Sequence, residues 1–230
     1  MEILKAEHVS YSYRSKYQTT QALVDVSCCF ETGVMYSVIG KSGSGKSTFL
    51  SLLAGMELPT SGKILVEGKD MAAMNRDAYR MRQVSIVYQA FHLFPLLTAA
   101  ENVMFPMELQ GRNRKEAAKE AESLLLSVGL AKETFHKYPA MLSGGEQQRC
   151  AIARAMSSKG QILLADEPTG NLDSENEHNI IALMKKMAHD EKKAVIVVTH
   201  NEAVAAESDV VLKMQDGRLR QVSRGGQNDC

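Results

Sequence analysis

One glycine-rich stretch has the composition and spacing of a phosphate-binding loop. Residues Gly40–Ser47 read GKSGSGKS and fit the pattern G-x-x-x-x-G-K-[ST]. Glycines let successive backbone N–H groups wrap closely around phosphate oxygens, and the helix that follows adds its positive end. We expect Lys46 to reach the β- and γ-phosphates of a nucleoside triphosphate and Ser47 to ligate Mg²⁺. The predicted contacts of this loop are Gly40, Ser42, Gly43, Ser44, Gly45, Lys46, Ser47 and Thr48.

A pair of carboxylates could supply the hydrolytic chemistry. Asp166 and Glu167 directly follow the apolar run Ile162–Ala165. We expect Asp166 to hold Mg²⁺, directly or through water, and Glu167 to orient or deprotonate the attacking water. The alternative is a pair of solvated acids at the start of a loop, which the phosphate loop in the same chain makes weaker.

A histidine, His200, follows another apolar run. A lone histidine is more often structural or superficial than catalytic. However, open α/β sheets bind ligands at the carboxyl ends of their strands, which is where this residue is predicted to lie.

The elements that must position these residues are predominantly short strands. The phosphate loop lies between a predicted strand, Tyr36–Ile39, and a predicted helix, Phe49–Ala54, which Gly55 ends. Ile162–Ala165 and Ala194–Thr199 are nearly continuous apolar runs, typical of buried parallel strands. Further strands are predicted at Ile3–Val9, Val24–Phe30, Ile64–Val66, Val84–Tyr88, Val210–Met214 and Gly217–Leu219, and in the second of these Val24, Val26, Cys28 and Phe30 share one face.

The middle of the chain, from about 90 to 158, is predicted to be mainly helical. Apolar residues between Ala117 and Val128 recur at helical spacing until Gly129. Near the end of this region the motif Leu142–Arg149 reads LSGGEQQR. Its serine and glutamate fit a helix capping box, so a simple capped helix is one interpretation. Two glycines beside a helix N-terminus favour a second phosphate-binding end instead.

These motifs, in this order, make the chain similar to the nucleotide-binding subunits of ABC transporters from about residue 2 to 222. The resemblance implies a head-to-tail homodimer that encloses two ATP molecules with Mg²⁺. It also implies that Tyr13 stacks on adenine, with Tyr11 as a competitor, and that His200 senses the γ-phosphate. The remaining implied roles are contact with ATP of the opposite site by Ser143, Gly144, Gly145, Glu146 and Gln147, contact with Mg²⁺ by Gln89, and crossing to the opposite site by Asn171 and Asp173.

The fold class implied is α/β: a P-loop NTPase core with a mixed sheet, an N-terminal antiparallel β part and an inserted helical subdomain. We expect one domain over 2–222, with its core at about 2–89 and 159–222, its helical subdomain at about 90–158, and a disordered tail over 223–230. Residues Asp166–Asp173, Arg14–Gln21 and Leu97–Val103 resemble the branch of macrolide exporters, lipoprotein-release systems and antimicrobial-peptide resistance. That branch often flexes a separate membrane protein rather than carrying cargo through the bilayer.

Composition limits the possible partners. Lys+Arg and Asp+Glu each total 27, so no strongly basic field favours binding to nucleic acid. The longest stretch without these four residue types, Gln83–Ala100, contains Gln89, His92 and Pro95 and is a poor membrane span. The family resemblance then implies a peripheral protein on the cytoplasmic face of the cell membrane that contacts a transmembrane permease. The predicted contact residues are Phe91, Leu93, Phe94 and Leu96, although such apolar density is more often core.

Three alternatives remain beside this interpretation. A non-transport ABC ATPase that regulates a membrane-bound cell-envelope system would carry the same residues. A soluble P-loop kinase is disfavoured by Leu142–Arg149, and a DNA-associated ATPase by the neutral charge.

The four cysteines lack the spacing of a metal site, and reduced thiols are their simplest state.

Overall fold

The computed structural model describes residues 1–170 and 172–224, with side chains up to residue 222. Two sheets and a group of helices make up this part of the chain. The strands are β1 Glu2–Arg14, β2 Thr19–Glu31, β3 Met35–Ile39, β4 Ser61–Val66, β5 Lys69–Asp70, β6 Val84–Val87, β7 Ile162–Asp166, β8 Ala194–Thr199, β9 Val210–Gln215 and β10 Arg218–Arg224. The α-helices are α1 Lys46–Leu53, α2 Arg76–Arg82, α3 Ala99–Leu109, α4 Arg114–Ser127, α5 Gly144–Met156, α6 Ser174–His189 and α7 Glu202–Glu207.

The larger sheet brings three strand ends to one edge. Its order is β10-β9-β3-β8-β7-β6, and all pairs are parallel except β10 with β9. Ile39 of β3 pairs with Thr199 of β8, and Asp166 of β7 pairs with Val198. The segments that follow these strands therefore begin side by side, as the general rule for ligand sites in open α/β sheets requires.

The smaller sheet is antiparallel, in the order β2-β1-β4-β5. His8 and Asp25 both have left-handed backbone conformations, with φ of 51° and 52°, and the pairing of β1 with β2 shifts register beside them. An irregularity of this kind interrupts the strict alternation of side chains. As a result Leu23 and Val26 are fully buried whereas Val24 is only partly buried, so the predicted face of β2 is wrong at Val24.

Two hydrophobic cores lie on opposite faces of the larger sheet. Alternate residues of β7 enter each core: Ile162 and Leu164 join the one that contains α1 and the smaller sheet, and Leu163 joins the one that contains α3–α6. This alternation is the two-residue period of a strand that is covered on both faces. The α/β class, the mixed sheet and the antiparallel N-terminal part are confirmed.

Helices α3, α4 and α5 fall between β6 and β7, inside the region predicted to be helical. Thr98 and Glu101 form a capping box at the start of α3, and Gly129, with φ of 76°, follows α4. Helices α2 and α7 were not predicted from the sequence. The division into a core and a subdomain at about 90 and 158 stays a prediction.

Two expectations need amendment. Strand β10 includes residues 223 and 224, so the predicted tail is too long, and its remaining part, 225–230, lies outside the described residues. Cys28 and Cys150 are free, and burial raises the pKa of each thiol to about 12, but Cys29 is disulfide-bonded, so the expectation of reduced thiols is wrong there. Within the described ranges, none of the helices has the length and apolar character needed to cross a membrane.

Candidate functional site

The phosphate loop connects β3 to α1, and its glycines are required by close backbone contacts. A Cβ on Gly40 would lie 2.3 Å from the carbonyl oxygen of Met214, and a Cβ on Gly45 would lie 2.5 Å from that of Ala22. Gly45 also has φ of 106° at the N-cap of α1. These contacts hold the loop against the N-terminal sheet and the hairpin of β9 and β10, so its N–H groups keep a fixed direction.

Lys46 and Ser44 are poised for a ligand inside this loop. The Lys46 side chain is nearly buried, and its Nζ donates to the carbonyl oxygens of Gly40 and Lys41 at 2.8 and 3.0 Å. The buried Ser44 Oγ has no hydrogen-bond partner among the described residues. An unpaired buried hydroxyl costs about 1–3 kcal/mol, and a bound phosphate oxygen would satisfy it.

Asp166 ends β7 beside the phosphate loop. Desolvation by burial raises the pKa of this carboxyl, and the negative charge of Glu167 adds to that rise, while a hydrogen bond from Ser47 and the charge of Lys46 oppose it. A carboxyl whose ionised form is penalised by burial gains most from a nearby cation. Ser47 and Asp166 lie next to each other, because their side chains share a hydrogen bond. Both offer oxygen ligands of the kind that a divalent cation prefers.

Glu167 and His200 are joined by a hydrogen bond, although they lie 33 residues apart in the chain. Oε1 of Glu167 lies 2.8 Å from Nδ1 of His200, and Thr199 Oγ1 donates to Oε2 at 3.0 Å. The Glu167 side chain is 13 % exposed and that of His200 is 76 % exposed. Glu167 also has φ of 48°, a left-handed backbone conformation that is uncommon for a residue other than glycine.

Lys46, Ser47, Asp166, Glu167 and His200 all line one open cavity of about 770 Å³. Tyr13 stands at its edge, 51 % exposed, with its hydroxyl 3.1 Å from Thr48 Oγ1. Tyr11 packs instead against the hydrophobic core, which favours Tyr13 as the stacking residue. Gln89 also lines the cavity. The lining residues are Tyr13, Thr20, Gln21, Ala22, Gly40, Lys41, Ser42, Gly43, Gly45, Lys46, Ser47, Thr48, Gln89, Asp166, Glu167 and His200.

The LSGGEQQR motif forms the start of α5, apart from this cavity. Ser143 is the N-cap: its Oγ accepts from the N–H of Glu146 at 3.3 Å, and Glu146 Oε2 accepts from the N–H of Ser143 at 2.7 Å. A Cβ on Gly144 would meet nothing within 4 Å, so this helix end is open. Among the described residues that line the cavity, none comes from 143–147.

The loop between β7 and α6 is described on either side of Asn171, which itself lies outside the described residues. Asp173 caps α6, with its Oδ1 accepting from the N–H of Asn176 at 2.9 Å. That hydrogen bond, first of several causes, lowers the pKa of the Asp173 carboxyl. Asp173 therefore has a clear role as a helix cap, and its side chain stays exposed.

A second cavity, an apolar groove of about 340 Å³, lies beside the segment that follows Gln89. Of the four residues predicted to contact a permease, only Phe94 lines it. Leu93 packs against the hydrophobic core, and Leu96 is 86 % exposed outside the groove. The lining residues are Arg80, Met81, Val84, Ser85, Ile86, Tyr88, His92, Phe94, Phe105, Pro106, Leu109, Arg154, Ala155 and Ser158.

Sequence reasoning missed two kinds of functional residue. Thr199 orients Glu167, and Thr20 to Ala22 close one side of the nucleotide cavity. The only sequence signal for Thr199 was its hydroxyl side chain directly before His200, at the end of a predicted strand. Nothing in the sequence placed β2 beside the phosphate loop.

The combination of a phosphate loop, an acidic strand end and an LSGG helix start on one mixed sheet identifies the family. Residues 23–170 match the model of the family described as ABC transporter. The chain belongs to the ABC transporter family. It is the ATP-binding subunit of such a system and hydrolyses ATP, as the resemblance implied.

Relatives extend this match over nearly the whole chain. A lipoprotein-releasing system ATP-binding protein LolD from Shewanella frigidimarina is 41% identical over 224 residues, which cover 96% of this chain and 93% of the relative. The uncharacterized ABC transporter ATP-binding protein YclH of Bacillus subtilis is 39% identical over 217 residues, 94% and 95% of the two chains. The name of the LolD relative agrees with the predicted branch, which includes lipoprotein-release systems.

Two solved structures share the fold. A dimer of the ATP-binding cassette MJ0796 in a post-hydrolysis state, bound to ADP and Pi, has a TM-score of 0.93 at 33% identity and covers 98% of this chain and 100% of that one. A second dimeric structure of MJ0796, a bacterial ABC transporter cassette, has a TM-score of 0.94 at 34% identity, with the same coverage.

Proposed function

We propose that two copies of this ABC ATPase close head to tail around two ATP molecules and that closing and opening drive a separate membrane permease. The observation that carries the proposal is the separation of two phosphate-binding features in one chain. The loop Gly40–Ser47 opens on the nucleotide cavity, whereas Ser143–Gln147 present an open helix N-terminus away from it. A second copy can supply the missing side of each site, and the dimers of MJ0796 are a precedent.

The residues around Asp166 fit Mg²⁺. The oxygen donors of Ser47 and Asp166 are adjacent, Gln89 lines the same cavity, and the Asp166 carboxyl is destabilised by burial until a cation approaches. Bound Mg²⁺ would neutralise charge on the β- and γ-phosphates. Lys46 would move from its two carbonyl partners to the same phosphates, and Ser44 would donate its unpaired hydroxyl.

Glu167 is the proposed general base for water. Its carboxylate is held by Thr199 and His200, so it enters the reaction with a fixed orientation. His200, which is largely exposed, can then contact the γ-phosphate on the open side of the cavity. In the closed dimer the partner's Ser143, Gly144 and Gly145 would donate hydroxyl and N–H hydrogen bonds to the γ-phosphate. The positive end of the partner's α5 would further stabilise the negative charge that develops there.

The apolar groove is the proposed contact for the permease. It lies beside the segment after Gln89, so an occupant would touch the part of the chain that also reaches the ATP cavity. Phe94, Phe105 and Leu109 offer apolar surface of the kind that receives one face of an amphipathic helix. Phe91, Leu93 and Leu96 belong to the same segment but contribute less directly.

Some relatives are named for lipoprotein release. We infer from these names that ATP hydrolysis powers export or mechanical work on the cell envelope. We therefore propose lipoprotein, peptide or antibiotic handling, performed from the cytoplasmic face of the membrane. A cell-envelope regulator without transport would use the same ATPase cycle, and the identity of the co-purified membrane protein distinguishes the two.

The experiment is affinity purification of the tagged chain from native membranes, followed by identification of the bound permease. Phe94→Asp places a charge in the groove and should abolish co-purification. Leu126→Asp is the matched control, because it adds the same charge at an exposed leucine of α4 that does not line the groove, and it should retain the permease. Equal recovery of the permease with both variants would contradict the proposed contact.

A further inference from the structure

The hairpin of β9 and β10 carries a basic face that the ATPase mechanism does not use. Lys213 of β9 lies directly opposite Arg220 of β10, and Arg218 lies two residues before Arg220 on the same strand. All three residues are exposed. The intervening cross-strand pair, Met214 and Leu219, packs instead into the hydrophobic core. Alternation along each strand therefore places the three cations together on the outer face of the hairpin.

These cations lie close together without a counter-charge. Directly opposed residues of an antiparallel pair have Cβ atoms about 4.5–5.5 Å apart, and second neighbours along a strand are about 7 Å apart. Among the ion pairs of the described residues, none involves Lys213, Arg218 or Arg220. Like charges directly opposite each other destabilise a sheet, and a bound anion would offset that cost.

The basic face borders a cleft of about 500 Å³, which we call the hairpin cleft. This volume lies within the range of small-molecule sites in proteins. Of the described residues that line the cleft, Asp216 is the only carboxylate, so three cations against one anion leave two positive charges. The lining residues are Lys213, Gln215, Asp216, Arg218, Arg220, Gln221 and Val222.

Contacts at the turn of the hairpin hold its strands in place. The N–H of Gly217 donates to the carbonyl oxygen of Ser44 at 3.0 Å, and the N–H of Val24 donates to that of Gly217 at 2.8 Å. A Cβ on Gly217 would lie 2.8 Å from the carbonyl oxygen of Ala22, so this close approach requires glycine. A ligand of the hairpin cleft would therefore meet cations on a backbone that is already ordered, which lowers the entropic cost of binding.

We propose that the hairpin cleft is a second anion site, for a ligand that carries a phosphate group. The planar forks of Arg218 and Arg220 match phosphate oxygens in pairs, and Lys213 adds a point charge. A soluble phosphate compound and the headgroup of an anionic phospholipid offer this same chemistry. The hairpin cleft and the ATP cavity have no lining residue in common, so the site depends neither on bound ATP nor on dimer closure.

The test compares the wild type with a pair variant, Lys213→Gln/Arg220→Gln. The matched control is Lys119→Gln/Arg82→Gln, which removes one lysine and one arginine from exposed positions that do not line the hairpin cleft. In flotation with vesicles of phosphatidylcholine and phosphatidylglycerol, a lipid ligand predicts that the pair variant binds about tenfold or more weakly than the wild type and the control. Vesicles of phosphatidylcholine alone should bind none of the three.

A second arm uses pyrophosphate as a soluble probe. All forms then carry Lys46→Ala, which weakens binding at the phosphate loop. In equilibrium dialysis, a soluble ligand predicts that the pair variant binds pyrophosphate about fivefold or more weakly than the same chain with an intact hairpin. The probe should also slow amide exchange in peptides covering residues 210–222, and it should do so in the control but not in the pair variant.

Binding of either probe that is lost in the pair variant and kept in the control supports the site, and the arm that responds identifies the source of the phosphate. Equal affinity of the wild type and the pair variant for both probes would overturn the proposal. An equal loss in the control would also overturn it, because net charge rather than the hairpin cleft would then attract the probe. If the pair variant does not fold, Arg218→Gln decides: affinity for the responding probe lower by about twofold or more supports the site, and a smaller change for both probes contradicts it.

Discussion

Replacing Glu167 by glutamine separates ATP binding from ATP hydrolysis. Glutamine has nearly the same shape, and its amide oxygen can still accept the hydrogen bond from Thr199 Oγ1, which measures 3.0 Å in the wild type. The lost contact is the carboxylate oxygen 2.8 Å from His200 Nδ1, so we expect the free energy of unfolding to change by only about 1 kcal/mol. Lys46 of the phosphate loop bonds to the carbonyl oxygens of Gly40 and Lys41 rather than to this carboxylate, so ATP affinity should persist.

The expected loss in turnover is much larger. Removal of a general base typically lowers the rate about 10²–10⁴-fold, which corresponds to about 2.7–5.5 kcal/mol of activation free energy. Phosphate release at saturating Mg-ATP measures kcat, and equilibrium dialysis measures ATP affinity. Glu202→Gln is the control, because this exposed carboxylate begins α7 two residues after His200 and does not line the cavity. Wild-type turnover in Glu167→Gln would remove Glu167 from its role.

Two further substitutions test the binding half of the site. Lys46→Ala removes a charge-assisted phosphate contact worth about 1.5–3 kcal/mol, so equilibrium dialysis should find ATP affinity lower by about 10–100-fold. Lys69 is exposed, and Lys69→Ala is the control that should keep the wild-type affinity. Equal ATP affinities in the two variants would contradict the assignment of Lys46 to the phosphates. Tyr13→Ala removes the proposed stacking partner of adenine, a contact worth about 1–3 kcal/mol, and should weaken ATP binding by about 5–100-fold. Tyr17 is 89 % exposed, and Tyr17→Ala is the control that should keep the wild-type affinity. Equal ATP affinity in the two tyrosine variants would argue for Tyr11 or for no stacking.

The local parts of the site were predictable because each is encoded in a short stretch. The glycines, lysine and serine of Gly40–Ser47 must lie within one short loop to wrap a phosphate, and the strand before them is short and mostly apolar. Asp166 and Glu167 stand out because charge follows a fully apolar run. Parallel strands then bring these ends together without any further signal in the sequence.

Features that depend on contacts between distant segments were not predictable in the same way. The left-handed residues His8 and Asp25 shift β1 against β2, and no residue type there demanded such a conformation. Which apolar side chains after Gln89 line a groove depends on how α3 and α5 pack, so Phe94 and Leu96 could not be told apart. Helix α7 has only six residues, too few to establish a period.

The central claim is that each ATP is enclosed by two copies of the chain. Its most direct test is the mass of Glu167→Gln in solution, measured by sedimentation with and without ATP, together with wild-type ATPase rates over a range of protein concentrations. The account predicts a species of twice 25.3 kDa only with ATP, and a rate per chain that rises with protein concentration. A rate strictly proportional to protein concentration, with a monomer in every nucleotide state and in any permease complex, would contradict it.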